Sequence, residues 1–339
     1  MPENTTTDQD PTTTPLEDPR SGAAPEDPAA AFADFNRRVI EEFRARGGRV
    51  GGPFEGGDLL LLTTTGARSG AEHTVPLGYV RAEGLLLVVA SAGGAPHHPA
   101  WYHNLLAHPM VRVERGTDTF EAVAVPAEGA RRDRLFALVA EAQPGYADYQ
   151  AGTDRILPVV VLEATGPAPG EEVAPPTDMA GKLLEIHGWL RAQLGHVRRE
   201  AEAHFAARTA HGTGPAAQGG PAPAPGLGLQ LRQHCLAFCE SLEFHHTGED
   251  RHVFPALERQ HPHLAAPLAR LRAEHVTVAR IKGELLDLLR GVAGADPEEF
   301  LAALDGMTRE LGDHLDFEEE SLLPALAGIP FPPVPPPGA

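Results

Sequence analysis

Two stretches in the second half of the chain pair a histidine with a glutamate four residues later. His245 precedes Glu249 and His314 precedes Glu318, and each stretch has a proline ten residues after its histidine. Residues at positions i and i+4 share one face of an α-helix, so each imidazole and its carboxylate can reach the same metal ion. We therefore predict a metal centre between two helices that carry these pairs.

Two further histidines are predicted to face the same centre. His187 and His275 each lie on a seam of apolar residues with helical spacings of three and four. Four helices thus aim four imidazoles and two carboxylates inward. An ordinary bundle without metal would have to bury both carboxylates unpaired, which is costly, so we regard that alternative as the weaker one.

Five other histidines receive different roles. His234 precedes His245 by three helical turns on one face, so we predict that it supports the metal ligands. The remaining four are assigned to the surface: His246, His252, His261 and His263.

The first half of the chain carries features that suit a flat, anionic ligand. The segment 65–70 (TGARSG) ends a β-type run with exposed N–H groups, a hydroxyl and a guanidinium, which suit a phosphate. The segment 91–94 (SAGG) lets the backbone approach a flat ring closely. Trp101 and Asn104, on a short helix, can offer a stacking face and a hydrogen bond. Taken singly, each feature is more often an ordinary turn or a core residue.

Six short β-type runs with few helices between them predict a small barrel rather than a βαβ sheet. The runs cover 58–63, 73–80, 84–91, 110–114, 119–125 and 156–163, and helices are predicted at 35–49 and near 99–107 and 131–141. We divide the chain into a disordered tail (1–31), a barrel domain (32–165), a linker (166–178), a bundle (179–328) with a disordered loop (209–226), and a tail (329–339). Domains on such a linker are expected to fold independently.

The composition argues against several classes of protein. The chain has 28 Lys and Arg against 47 Asp and Glu, a net charge of −19, so we do not expect it to bind nucleic acid. No apolar run approaches the ~20 residues of a membrane span, and the N-terminus lacks the apolar core of a signal peptide. We expect a cytoplasmic protein with no stable membrane span.

The helical half resembles the hemerythrin-like (HHE) domains. The segments IHGWLR, FHHTGEDRHVFPALE, RAEHVTVARI and DHLDFEEESLLPAL carry this resemblance. It implies an all-α four-helix bundle with two iron ions, whose ligands are His187, His245, His275 and His314, and whose bridges are Glu249 and Glu318. Imidazole and carboxylate ligands suit iron and disfavour a closed structural zinc site. Oxygen-carrying hemerythrins have a further histidine where this chain has Ala279, so sensing, peroxide chemistry or electron transfer is more plausible here than oxygen carriage.

The first half resembles the deazaflavin-dependent nitroreductase family. The runs LLLLTTTGARSGAEHTVPLGYV, VVASAGGAPHHPAWYHNLLAHPMVRVE and GYADYQAGTDRILPVVVLE occur in the family's order. The resemblance implies an α+β chain, in which a flavin-reductase-like split β-barrel binds coenzyme F420, a deazaflavin hydride carrier with an anionic tail. It implies cofactor-binding roles for Thr65, Arg68, Ser69, His73, Pro76, Ser91, Gly93, Gly94, Trp101 and Asn104, and a substrate side at Tyr146 and Tyr149.

These resemblances lead to two hypotheses. The first is an F420-dependent oxidoreductase that acts on a small molecule and carries a di-iron domain for oxygen or redox sensing or peroxide chemistry. A homodimer through the barrel is compatible with this hypothesis. The second is a non-enzymatic sensor of oxygen, nitric oxide or iron with a degenerate barrel. Split barrels accept several cofactors, so flavin or haem in place of F420 stays open.

Overall fold

A computed structural model of the chain describes residues 28–166, 176–212 and 226–332. It confirms the predicted α+β class, with a closed antiparallel barrel followed by a helical bundle. The predicted tail up to residue 27, most of the linker, most of the long loop and the last seven residues lie outside the described ranges.

The barrel consists of β1 (Leu59–Thr65), β2 (Glu72–Ala82), β3 (Leu85–Val89), β4 (Met110–Arg115), β5 (Asp118–Pro126) and β6 (Val159–Ala164). The order is β1-β2-β3-β6-β5-β4, and the sheet closes because β4 also pairs with β1. Every neighbouring pair is antiparallel. Each predicted β-type run overlaps one of these strands.

The four consecutive leucines of β1 reflect a strand that is buried on both faces. Leu60 and Leu62 belong to one apolar core that receives side chains from every strand of the barrel, with those of β2 only partly buried. Leu61 points the other way and packs on Phe43 of helix α1 (Pro28–Ala45). A strand with one face in water would have alternated apolar and polar residues, and β1 does not.

Three more helices cover the barrel: α2 (Ala100–Ala107), α3 (Gly129–Ala142) and α4 (Gly145–Ala151). Helix α2 inserts Leu105 into the core that contains Leu60, and α3 inserts Leu135 into a second core with strands β2, β3 and β6. Helix α4 was not predicted from the sequence, and its seven residues are too few to show a periodic pattern.

The bundle is built from α5 (Met179–Gly212), α6 (Gly226–Gly248), α7 (Phe254–Gln260), α8 (Ala265–Arg290) and α9 (Pro297–Leu326). A π-helical turn, Glu249–Val253, joins α6 to α7, so these two form one column and the bundle has four. None of the helices in the described ranges combines the length and hydropathy needed to cross a bilayer.

The barrel and the bundle pack directly on each other. The outer face of β5 buries Val123 and Val125 against Ala237 of α6, and Met110 and Trp189 lie beside them. The linker composition predicted two independent units. Ala237 lets α6 approach β5 closely, and a linker sequence carries no information about such a contact.

Three segment boundaries differ from the predicted ones. Helix α1 begins at Pro28, inside the predicted N-terminal tail, and α5 extends to Gly212, inside the predicted loop. Asp178 forms an isolated β-bridge with Pro330, and the Phe331 N–H donates to the Thr177 carbonyl over 3.0 Å. Residues 329–332 are therefore hydrogen-bonded to the start of the bundle.

Candidate metal and cofactor sites

The six predicted metal ligands form one buried polar layer between two apolar cores of the bundle. On α5, His187 lies between Leu183 of one core and Leu190 of the other. His275 of α8 lies between Leu271 and Val278 in the same way. The six side chains, all buried, are His187, His245, Glu249, His275, His314 and Glu318.

Their ligand atoms lie at distances that fit shared metal ions. Nε2 of His187 is 3.0 Å from Nε2 of His245 and 3.6 Å from Oε2 of Glu318. Glu249 approaches His245 with one oxygen at 3.4 Å and His275 with the other at 3.6 Å. Two ligands on one ion are ordinarily about 3–3.5 Å apart when each bond is close to 2 Å. The two glutamates thus stand between histidines of different helices, as bridging carboxylates would.

A seventh side chain belongs to this layer, and the prediction that placed it on the surface is wrong. His246 is buried, and its Nε2 lies 3.3 Å from Nε2 of His314. Its ring stacks on that of His275 with centroids 4.0 Å apart. The sequence did indicate this position. His246 lies four residues after Leu242, and a spacing of four fits a buried helix face as well as the spacing of three between Leu242 and His245.

The seven ligand side chains divide into two main groups whose atoms lie within 4.8 Å of one another. One group is His187, His245 and Glu318, and the other is His246, His275 and His314. Glu249 belongs to further groups that draw members from both. Ala279, where the resemblance would place another imidazole, is exposed, and the third imidazole beside His275 and His314 is that of His246 of α6.

The π-helical turn keeps the column in register after these ligands. Buried side chains along it step by three or four residues as far as Glu249, and the next, Phe254, comes five residues later. A π-turn accommodates one extra residue and often marks a functional site. Pro255 lies directly after the turn, where its missing N–H is tolerated.

Carboxylates outside the layer orient two of the histidines. Nδ1 of His187 donates to Glu319 over 2.8 Å, and Nδ1 of His314 donates to Glu274 over 3.0 Å. These hydrogen bonds fix the tautomer that leaves Nε2 as the free lone pair, which is how metal-bound histidines are usually supported. Nδ1 of His275 lies 3.1 Å from Asp250 without hydrogen-bond geometry.

Burial keeps the imidazoles neutral and disfavours two charged carboxylates. It lowers the pKa of His187 and His275, and that of His245 to about 4. Burial, with Glu318 beside it, raises the pKa of Glu249 well above its usual value. Neutral imidazoles are the form that binds metal, and a cation between the two glutamates would remove their repulsion.

Several polar atoms of the layer have no hydrogen-bond partner among the described residues. They are Oε2 of Glu249, both ring nitrogens of His275 and both carboxylate oxygens of Glu318. Buried polar atoms of this kind are rare in stable proteins unless an ion or water satisfies them. The donor set and its unsatisfied atoms therefore fit bound metal.

His234 does not support the metal ligands as predicted. Its Nδ1 lies 3.2 Å from Gln193, and its Nε2 lies 3.5 Å from Glu163 of β6 in the barrel. Its ring packs on that of His196, with centroids 3.9 Å apart. The residue is on the other side of α6, so it belongs to the contact between barrel and bundle.

In the barrel, the predicted phosphate turn borders a cavity of about 340 Å³. Its lining is Gly66, Ala67, Arg68, Ser69, His73, Ala100, His103 and Asn104. A Cβ at Gly66 would lie 2.4 Å from Oγ of Ser69 and 2.9 Å from Nε2 of His73, so any larger residue would displace these two lining side chains. No carboxylate of the described residues lies within salt-bridge distance of the exposed Arg68, which leaves its guanidinium available to an anion.

Asn104 joins this turn to helix α2. Its Nδ2 donates to Oγ1 of Thr64 over 3.1 Å, and its Oδ1 accepts from the N–H of Ala67 over 3.1 Å. Thr65, between these two partners, is half-buried. Both polar groups of the amide thus help to hold the turn, so Asn104 shapes the cavity that it lines.

The second predicted loop is held by a residue that the sequence reasoning left without a role. Arg155 donates to the carbonyls of Ala90, Ser91 and Ala95 at 3.1, 2.5 and 2.7 Å. Gly93 and Gly94 adopt φ values of +62° and +81°, which favour glycine. A guanidinium with five N–H donors can bond several carbonyls of such a curved segment. In the sequence, the signal for this role was a lone arginine just before an apolar strand.

The remaining predicted barrel residues lie around these two loops. The rings of Tyr146 and Tyr149 are 6.1 Å apart on α4, and the backbone of Tyr149 faces Gly94. Pro76 lies on β2, opposite Leu61. Trp101 is only 6% exposed and packs in the barrel core, which leaves little of its ring for stacking. Its cofactor role stays a prediction.

The barrel and the bundle are each similar to known proteins. Residues 35–164 match a family described as F420H(2)-dependent quinone reductase, and residues 178–326 match the hemerythrin HHE cation-binding domain. An F420H(2)-dependent quinone reductase of Mycobacterium tuberculosis is 41% identical over 124 residues, which are 35% of this chain and 83% of that protein.

Two solved structures are also similar. One, an F420-H2 dependent reductase, is 44% identical and covers 31% of this chain and 94% of its own, with a TM-score of 0.30. The other, described as a domain-swapped dimer, is 38% identical and covers 40% of this chain and all of its own, with a TM-score of 0.31.

Both resemblances seen in the sequence are thereby confirmed, although the family description names a quinone reductase where the resemblance was to nitroreductases. The family is one of oxidoreductases, as predicted. The chain belongs to the F420H(2)-dependent quinone reductase family and carries a hemerythrin HHE domain after its barrel.

Proposed function

We propose that the chain is an F420H(2)-dependent reductase of a quinone or a similar small acceptor, and that its bundle holds a redox-active pair of iron ions. The observation that carries the first part is the braced turn beside the 340 Å³ cavity, in a chain of this family. When bound, F420H(2) supplies a hydride, and a quinone that takes this hydride and one proton becomes a quinol.

The turn would bind the anionic part of the cofactor. Arg68 supplies a positive charge that no described carboxylate neutralises, and Ser69 offers a hydroxyl beside it. Asn104 fixes the turn through the Ala67 N–H before any ligand arrives. A site that is ordered in advance loses less conformational entropy on binding.

The tyrosines of α4 would face the acceptor. Burial raises the pKa of Tyr146, so its phenol keeps its proton at neutral pH and can donate a hydrogen bond to an acceptor oxygen. Tyr149 is 43% exposed and lies at the Gly94 turn, where it can contact a bound ring. These two residues orient the acceptor in our proposal, and no separate general base is assigned.

The bundle would hold two iron ions, one in each main ligand group. Five imidazoles and two carboxylates suit iron, and iron in such a centre supplies chemistry with oxygen or peroxide. Glu249 and Glu318 contact histidines of both groups, so they are suited to bridging. A sensing or peroxide role follows from this centre rather than from the barrel.

The proposal is tested by anaerobic oxidation of F420H(2) with a soluble quinone, followed by deazaflavin absorbance, and by metal analysis of the same preparation. We expect quinone-dependent oxidation that Tyr146→Phe slows, and close to two iron ions per chain. A chain that binds metal but never oxidises F420H(2) would support the non-enzymatic sensor instead. The predicted homodimer is tested separately by sedimentation analysis.

A further inference from the structure

Helix α6 of the bundle reaches across the domain contact and caps the end of helix α2 in the barrel. Gln233 is fully buried, and its Nε2 donates to the Leu105 carbonyl over 2.8 Å. It also lies 3.4 Å from the Ala124 carbonyl of β5. Arg232 donates to the Leu106 carbonyl over 3.1 Å. Two consecutive side chains of the bundle therefore bond two consecutive carbonyls of the barrel helix.

A third contact extends the cap by one residue of the barrel. Nδ1 of His108, which directly follows α2, lies 2.7 Å from Oε1 of Glu240. Glu240 is two helical turns beyond Gln233 on the same side of α6. Between them, Ala237 is fully buried against β5, so the helix approaches the barrel closely along this face.

These carbonyls need partners from outside their own helix. The last four carbonyls of any α-helix lack an intrahelical donor, and α2 has only eight residues. The Asn104 carbonyl is satisfied by the N–H of His108 over 2.8 Å. The next two carbonyls are satisfied by the bundle, and a cationic side chain at this end also favours the helix dipole.

The capped end lies next to the residue that holds the cofactor turn. Asn104 immediately precedes Leu105, and its amide bonds both Thr64 and the Ala67 N–H. A continuous set of contacts thus runs from Gln233 through the Leu105 carbonyl and Asn104 to the turn beside the 340 Å³ cavity.

We propose that Gln233, assisted by Arg232 and Glu240, is a positioning residue for the cofactor-binding turn. The hemerythrin-like bundle is then part of the framework of the reductase site, in addition to holding its own metal. This inference rests on the proposed F420 function. It assigns a role to the domain contact that metal binding alone would not require.

The test is the variant Gln233→Ala in the full, metal-loaded chain. We expect its Kd for F420 to rise about five- to tenfold, because a buried carbonyl loses its donor. KM for the quinone and the metal content should stay unchanged. Gln233→Glu should weaken F420 binding further, since it places a carboxylate against two carbonyls. Arg232→Ala, which disturbs less of the buried contact, should act in the same direction by about twofold.

The matched control is Gln193→Ala, which removes an amide that contacts His234 within the bundle. It should leave the Kd for F420 unchanged. Hydrogen exchange of the amides of residues 101–108 should be faster in Gln233→Ala than in the wild type and the control.

Unchanged F420 affinity and unchanged exchange in Gln233→Ala, with metal content intact, would overturn the positioning role. If the wild type binds no F420, the proposed function fails, and the exchange rates alone decide whether Gln233 positions α2.

Discussion

The barrel site and the buried polar layer of the bundle differ in whether their polar groups have hydrogen-bond partners within the protein. In the barrel, the polar groups of Asn104 are already paired with Thr64 and Ala67. In the bundle, both oxygens of Glu318 are buried without a hydrogen-bond partner among the described residues. We therefore expect the barrel site to be a stable framework for a cofactor, whereas the bundle layer should depend on a cation to compensate its buried carboxylates.

This comparison predicts that metal changes the stability of the chain more than F420 does. Glu249→Gln and Glu318→Gln should lose metal and forgo a stabilisation of about 4 kcal/mol, the value for a ligand at a thousandfold excess over its Kd. Without metal, Glu249→Gln should be no less stable than the wild type, because the raised pKa of Glu249 already keeps one of the two buried carboxyls neutral. Thermal unfolding with and without iron measures both effects, and full iron content in both variants would refute the assigned bridges.

The next effect separates the two ligand groups. His246→Ala should keep the group around His187 and lose the ion held with His275 and His314, so the metal content should fall by about half. His252→Ala, an exposed histidine six residues further along the chain, is the matched control. If metal analysis finds the wild-type metal content in both variants, His246 packs in the layer without binding metal.

A smaller effect is expected in the barrel, because the stability of its fold should not depend on bound F420. Asn104→Ala should raise KM for F420H(2) about tenfold, because the Thr64 hydroxyl and the Ala67 N–H lose their partner. Asn104→Asp keeps the acceptor for Ala67 and should fall between that variant and the wild type. Steady-state kinetics decide this, and an unchanged KM in Asn104→Ala would mean that the turn does not bind the cofactor.

The smallest effect should come from Arg68, which is exposed. Arg68→Ala should weaken F420 binding about threefold at low ionic strength and less at high salt, because exposed charges are screened. Arg37→Ala, at an exposed arginine of α1 paired with Asp34, is the control. Equal salt dependence of F420 affinity in the two variants would place the anionic tail elsewhere.

The two regions also differ in how far their sequences reveal them. The buried polar residues of the bundle follow helical spacing, so the inward position of His187 and Glu318 could be predicted from the pattern alone. His246 was missed because a single seam position was assigned where two adjacent histidines are buried. The six short β-type runs correctly predicted the strands of the barrel.

The barrel site could not be derived in the same way. A turn such as Gly66–Gly70 looks like any hairpin until Asn104 is seen to bond it, and that contact spans 37 residues. The hydrogen bonds of Gln233 to the barrel depend on how two folded surfaces meet. No local pattern in the sequence encodes either contact.

The most direct measurement is the anaerobic rate of F420H(2) oxidation by a quinone, compared between the iron-loaded wild type and Glu318→Gln lacking iron. If the barrel carries the reductase chemistry, both proteins oxidise F420H(2) at similar rates. No oxidation by either protein, or oxidation only when iron is present, would contradict this account.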